Sequence, residues 1–242
     1  MRTKQSKKTF RIKQYMRTTY SSFWINQVQK YGFLDYHSNL LNVINSLSLP
    51  TKGYMLEVGV GTGWPFATTL ADQEHTVVGV DLSENLVREA QAQPGNVLGV
   101  IGDAESLPLA DESFNLVYCF QSTWYFPNLD QAISEMVRVT RPGGTLLFDV
   151  MNLASLRILW AKRPSSNLRD IGRNLRNIAR SIIGNPSIRP PSHEHPTTHW
   201  RVSKILKSLP VDYRVIIPKK AQQNAALLDL FRHRLFYICN RL

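Results

Sequence analysis

Between Tyr54 and Met151 short apolar runs alternate with stretches of helical periodicity, a pattern that predicts βαβ units around a parallel sheet. The apolar runs predict strands at 54–60, 75–82, 96–103, 114–121 and 144–151, with helices at about 65–71, 83–92 and 129–140 between them. Pro94-Gly95 and Pro142-Gly143-Gly144 fall just ahead of strands, where they mark turns without interrupting a ladder. Beyond residue 151 the pattern breaks. Residues 157–198 are rich in Arg and hold Pro186, Pro190, Pro191 and Pro196 in their second half, so this stretch is expected to be an insertion or lid. Regularity returns with a helix near 200–208 and strand-like runs at 212–217 and 233–239 that extend the far edge of the sheet. The expected fold class is α/β, with residues 1–49 as a basic N-terminal helical arm and residues 50–242 as the main domain carrying the lid.

The densest local signal is Leu56-Glu57-Val58-Gly59-Val60-Gly61-Thr62-Gly63, which follows a strand-forming run and precedes Trp64-Pro65-Phe66. Glycines there let the backbone turn tightly and approach a ligand, and Pro65 suits the first turn of the next helix, whose free N–H groups favour an anion. Pyrophosphate and a methionyl carboxylate both meet that description. A dinucleotide fingerprint would require glycine at position 64, where this chain has Trp64, and the observed G-x-G-x-G run has an acid two residues before its first glycine. A second strand ends in Asp81, 22 residues after Gly59, where a carboxylate can accept both hydroxyls of a ribose. A third ends in Gly102-Asp103-Ala104, and Arg141-Pro142-Gly143-Gly144 precedes the fifth.

These four ordered motifs, over residues 53–151, resemble those of the class I S-adenosylmethionine (SAM)-dependent methyltransferases, in particular the small-molecule group with an E-x-G-x-G-x-G loop. The resemblance implies a Rossmann-like three-layer sandwich whose seven-stranded mixed sheet has an antiparallel last strand. It implies SAM as cofactor, with Gly59, Gly61 and Gly63 cradling the methionyl part and Glu57 near its ammonium group. It further implies Asp81 on the ribose hydroxyls, Leu82 against the adenine face, Asp103 with the Ala104 backbone at the adenine amino group, and Gln121 bordering the acceptor site. Trp64 departs from the small or polar residue expected beside the methionyl group. Taken singly, Asp81 or Asp103 reads equally well as a helix cap or the opening of a turn.

Charge is unevenly spread. Residues 1–49 carry 8 Lys/Arg against 1 acid, residues 50–152 carry 4 against 13, and residues 153–242 carry 17 against 4. Basic flanks around an acidic middle suit an anionic partner such as a phosphate, a nucleic acid or a membrane surface, and they also serve plain solubility. Cys119 and Cys239 sit in apolar runs and are expected to be buried thiols, with no disulfide framework and no metal site. With no signal-peptide stretch and no 18-residue apolar run, the expected location is cytoplasmic or at the membrane periphery.

Methyl transfer from a sulfonium is an in-line displacement, so alignment and exclusion of water are the main tasks and a base is optional. For a hydroxyl acceptor a histidine is the natural base. His193, His195 and His199 cluster near the lid's end and are weak candidates; exposed loop histidines are the alternative reading. Trp124, Tyr125 and Phe126 are expected to line an apolar acceptor pocket. Leu168, Ile171, Leu175, Ile178 and Ile182 draw one apolar stripe between arginines, a helix that suits either an anionic membrane surface with a lipid-like acceptor or packing on the sheet. Tyr15, Tyr20, Phe23 and Trp24 follow the N-terminal lysines and are candidates for a gate over the cofactor. The favoured function is methylation of a small-molecule or lipid-like acceptor. The alternatives are RNA methylation, which lacks a recognisable aromatic-basic module, and a non-catalytic methyltransferase-like binding subunit.

Overall fold

The computed structural model describes residues 4–18, 25, 35–155, 195–216 and 233–242. Seven strands form one sheet: β1 (Tyr54–Val58), β2 (Thr76–Asp81), β3 (Leu98–Ile101), β4 (Phe114–Cys119), β5 (Thr140–Met151), β6 (Val211–Ile216) and β7 (Arg234–Arg241). Their order is β3-β2-β1-β4-β5-β7-β6, with β7 antiparallel to both neighbours and the other pairs parallel. This is the mixed sheet expected from the motifs. The chain winds from β1 outward to β3, then crosses to β4 and winds the other way. The reversal opens a crevice at the carboxyl ends of β1 and β4, where ligands bind in sheets of this kind.

Described helices are α1 (Lys4–Thr18), α2 (Asp35–Asn45), α3 (Phe66–Asp72), α4 (Glu84–Ala92), α5 (Leu129–Val139) and α6 (His199–Leu206). Buried strands in a sheet covered on both faces read as near-continuous apolar runs, and β4 is buried or half-buried throughout. One face packs Leu56, Val117 and Phe148 against Ile133, Met136 and Val137 of α5 and Val202 and Leu206 of α6. The other packs Met55, Leu116 and Leu147 against Leu40 and Ile44 of α2 and Phe66 and Leu70 of α3. Asn128 caps α5 by accepting from the Gln131 N–H at 3.4 Å, and Thr198 caps α6 by accepting from the Arg201 N–H at 3.4 Å.

The fifth strand differs from expectation. Pro142-Gly143-Gly144 is not a turn ahead of it, because the strand begins at Thr140 and runs through the three residues. Thr140 pairs with Phe114 and Thr145 with Leu116, so β5 carries a bulge that absorbs the proline and places Gly143 at φ +75°. The arginine-flanked helix expected over 168–182 lies outside the described residues, as does almost all of the expected lid. Both cysteines are buried and free, as their apolar settings imply. Among the described residues no helix is long and apolar enough to cross a membrane.

Ile133 is fully buried between α5 and the sheet. Ile133→Ala is expected to cost about 2–5 kcal/mol and Ile133→Val about 0.5–1.5 kcal/mol, measured as graded shifts in the urea midpoint at constant slope.

Candidate active site

Alternation along β1 puts Glu57 on the same face as Met55, directly beside its register partner Tyr118 of β4. Glu57 is only 5% exposed, and the Tyr118 hydroxyl donates to its Oε2 at 3.2 Å. Burial raises the Glu57 carboxyl well above the ordinary range; the bonds from Tyr118 and the Ala67 backbone partly offset this, and the Asp81 charge adds to it. Directly after Glu57 the chain enters the glycine loop. Gly59, Gly61 and Gly63 have φ of +77°, +55° and +78°, a region that L side chains rarely enter. A Cβ on Gly59 would lie 2.6 Å from Ser122 Cβ, so the β1 and β4 exits can come this close only with glycine there.

The loop and the end of β2 are tied by one side chain. Asp81 Oδ2 accepts from the Gly61 N–H at 3.1 Å and Oδ1 from the Ser83 N–H at 2.9 Å. Burial raises the Asp81 carboxyl, and these backbone bonds with that of Leu82 oppose the shift. At the end of β3, Asp103 Oδ1 accepts from the Glu105 N–H at 3.0 Å and Oδ2 from Lys13 Nζ at 2.6 Å. At the exit of β4, Gln121 adopts φ +59°, and its N–H is held at 2.9 Å by Oδ1 of the fully buried Asp149. Arg234 pairs with the other oxygen of Asp149.

These residues meet in one cleft of 420 Å³. Glu57, Gly59, Gly61, Asp81, Leu82, Asp103, Ala104 and Gln121 all line it, eight of the nine positions singled out for the cofactor. Gly63 does not line it. It faces Ala90 of α4, whose Cβ would lie 3.1 Å from a Cβ on Gly63, so its lack of a side chain serves helix packing.

The aromatic segment divides. Tyr125 and Phe126 line the cleft, whereas Trp124 is buried outside it with the Arg234 guanidinium 5.0 Å above its ring. The cause is the 3-10 turn Thr123–Tyr125, whose successive side chains point about 120° apart. His195 and His199 are not among the lining residues, and His193 lies outside the described residues. The His199 ring stacks on Tyr237 at 6.0 Å, with Nδ1 3.1 Å from the Tyr237 hydroxyl, and burial lowers its pKa. Among the described residues no group of three or more His, Cys, Asp or Glu is arranged to hold a metal.

Among the lining residues that the sequence did not mark for this site are His37 and Lys13. His37 of α2 packs edge-on against Trp64 and Phe66, at 5.9 and 5.5 Å between ring centroids, and its Nε2 lies 3.4 Å from Gln121 Nε2. Burial lowers its pKa, with Arg234 adding to the effect. The signal was its place at the head of the apolar series Leu40, Leu41 and Ile44, spaced as one helical face. Lys13 of α1 had no such mark among the other basic residues of the arm. Tyr20, Phe23 and Trp24 lie outside the described residues, and from α1 it is Lys13 and Met16 that line the cleft.

Residues 56–148 match a family model described as a methyltransferase domain. The chain is similar along 94% of its length to a Thermotoga maritima SAM-dependent methyltransferase structure, a possible histamine N-methyltransferase, at TM-score 0.61 and 19% identity with all of that chain covered. Over residues 56–148 the chain is therefore similar to a methyltransferase domain, and it has the fold of SAM-dependent methyltransferase structures. A second structure with the methyltransferase fold is magnesium protoporphyrin IX methyltransferase from Synechocystis with bound SAM, at TM-score 0.60, 14% identity and 97% coverage of each chain. Among curated proteins, a malonyl-acyl-carrier-protein O-methyltransferase from Methylococcus capsulatus is 40% identical over 119 residues, covering 46% of this chain and 43% of the relative. The chain thus spans less than half the length of that relative.

In the ligand-free protein Glu57 holds its proton to a higher pH folded than unfolded. The stability it contributes is full below the ordinary carboxyl pKa and is lost as pH rises through its raised native value. Glu57→Gln keeps an acceptor for Tyr118 and removes the titration. The variant is expected to lose less stability than the wild type between about pH 5 and pH 8. Urea midpoints across that range check this, and parallel pH profiles would rule it out.

Proposed function

We propose that the chain is a SAM-dependent methyltransferase that acts on a small-molecule or lipid-like acceptor. A fold of this kind hosts many activities, so the reading rests on the site. The observation that carries it is the set of three carboxylates, Glu57, Asp81 and Asp103, at the ends of three adjacent strands and along one wall of one cleft. That donor set fits the cofactor. A cation suits the buried Glu57, vicinal hydroxyls suit Asp81, and an amino donor suits Asp103, while Gly59 and Gly61 leave room for a close approach.

When bound, SAM supplies a methyl group activated by its sulfonium. The chain's own part is to bind, orient and exclude water. Glu57 holds the ammonium end, Asp81 fixes the ribose, and Asp103 with the Ala104 backbone holds the adenine. Gln121, locked by Asp149, borders the acceptor side together with His37, Trp64 and Tyr125. Those neighbours give the acceptor side aromatic walls with few polar groups. A lipid-like acceptor suits such walls, and the relatives named for malonyl-acyl-carrier-protein O-methylation support an acyl group on a carrier as one form of it. The basic segments before residue 50 and after residue 152 suit an acceptor presented on an anionic carrier or membrane surface.

The test supplies methyl-labelled SAM with either malonyl-acyl carrier protein or a cell extract and counts label in protein, organic, aqueous and RNA fractions. Label is expected on the carrier or in the organic or small-molecule fraction, and Asp81→Ala is expected to weaken SAM binding roughly 10- to 100-fold by removing a charged acceptor. Label confined to RNA, or wild-type binding in the variant, would overturn the reading.

A further inference from the structure

Lys13, in the cleft wall, bonds two carboxylates at once. Its Nζ lies 2.6 Å from Asp103 Oδ2 and 2.6 Å from Glu105 Oε2. Glu105 in turn accepts through Oε1 from the Asn128 N–H at 2.6 Å, and Asn128 caps α5. One ammonium therefore joins three walls of the same end of the cleft: α1, the loop after β3, and the head of α5. The side chains are 20%, 28% and 11% exposed for Lys13, Asp103 and Glu105. At that depth the pair is screened less than a surface ion pair, and each charge-assisted bond is stronger than a neutral one.

The other contacts of α1 place the pair at a boundary. Ile12 is 5% exposed, which seats the helix, while Met16 lines the cleft one helical turn beyond Lys13. Asp103 is also the residue read above as the acceptor for the adenine amino group, so the bond that closes α1 and the bond to the base meet on one carboxylate.

We propose that Lys13 is a clasp that holds α1 across the adenine end of the cleft and sets the rate at which cofactor and its demethylated product leave. The proposal rests on the SAM-binding reading of the cleft. Lys13 acts through Asp103 and Glu105 and is a positioning residue: its bond to Asp103 keeps that carboxylate oriented, and opening α1 for exchange requires this bond and the one to Glu105 to break. The clasp makes release, and with it turnover under saturating acceptor, sensitive to ionic strength.

Stopped-flow release of S-adenosylhomocysteine from the full chain tests this, using wild type, Lys13→Met, Lys13→Arg and Glu105→Gln, each checked for an unchanged thermal midpoint. Lys13→Met is expected to speed release about 10- to 100-fold, the worth of one or two charge-assisted bonds. Glu105→Gln should fall between Lys13→Met and wild type, and Lys13→Arg should restore slow release. Added salt should speed release from the wild type and leave Lys13→Met unaffected. Release from Lys13→Met and Glu105→Gln at the wild-type rate, with tight binding of SAM to all forms, would overturn the clasp alone. Absence of saturable SAM binding to the wild type would overturn the cofactor reading and the clasp with it.

Discussion

Carrying carboxylates to the exit of a buried parallel sheet is the constraint around which the rest of the structure is arranged. A parallel sheet covered on both faces must be apolar along its length, and its polar side chains gather where the strands end. Glu57, Asp81, Asp103 and Asp149 stand within two residues of the ends of β1, β2, β3 and β5. Each is stabilised differently. Glu57 takes a phenolic hydroxyl and a backbone bond, Asp81 takes backbone N–H groups, Asp103 takes an ammonium, and Asp149 takes a guanidinium and the Gln121 N–H. Of these four acids, Asp103 and Asp149 are the two with a cationic side chain on them among the described residues; burial raises the carboxyls of Glu57 and Asp81, which a bound cation and hydroxyl donors would relieve.

Backbone geometry answers the same constraint. Gly59 lets the exits of β1 and β4 approach within a distance that excludes a Cβ, and Gly79 of β2 gives way to Val60, whose Cγ2 would lie 2.6 Å from a Cβ there. The loop therefore folds back over the end of β2, with the Gly61 N–H on Asp81 and the Gly59 and Val60 N–H groups on the Val80 carbonyl. Gln121 is the opposite case, a residue with a side chain held at positive φ because Asp149 grips its N–H. It lies beside His37, and both residues line the cleft.

Strong local signals in the chain were enough to place the sheet, the glycine loop after β1 and the acids near the ends of β1, β2 and β3. Their spacing is a property of the backbone and does not depend on which side chains meet later. What escaped was set by tertiary contact. The proline at 142 marks a turn in most settings, and here a bulge opposite Phe114 and Leu116 lets the strand run through it. Gly63 belongs to the motif by spacing but serves the packing of α4, a distinction visible only once Ala90 lies beside it. Trp124 parts from Tyr125 because a 3-10 turn separates neighbours that a linear reading groups together. Lys13 reaches acids 90 and 92 residues away, and no local pattern distinguishes it from the other lysines of the arm.

Calorimetric titration of SAM at neutral pH, in two buffers of different ionisation enthalpy, tests most directly whether the acidic strand ends form the cofactor site. Burial keeps the Glu57 carboxyl raised in the ligand-free protein, and a cation placed beside it lowers that pKa. Saturable binding is expected to release protons from the wild type, and Glu57→Gln is expected to bind more weakly and to release fewer. Binding with no proton exchange, or with the same exchange in Glu57→Gln, would contradict the account.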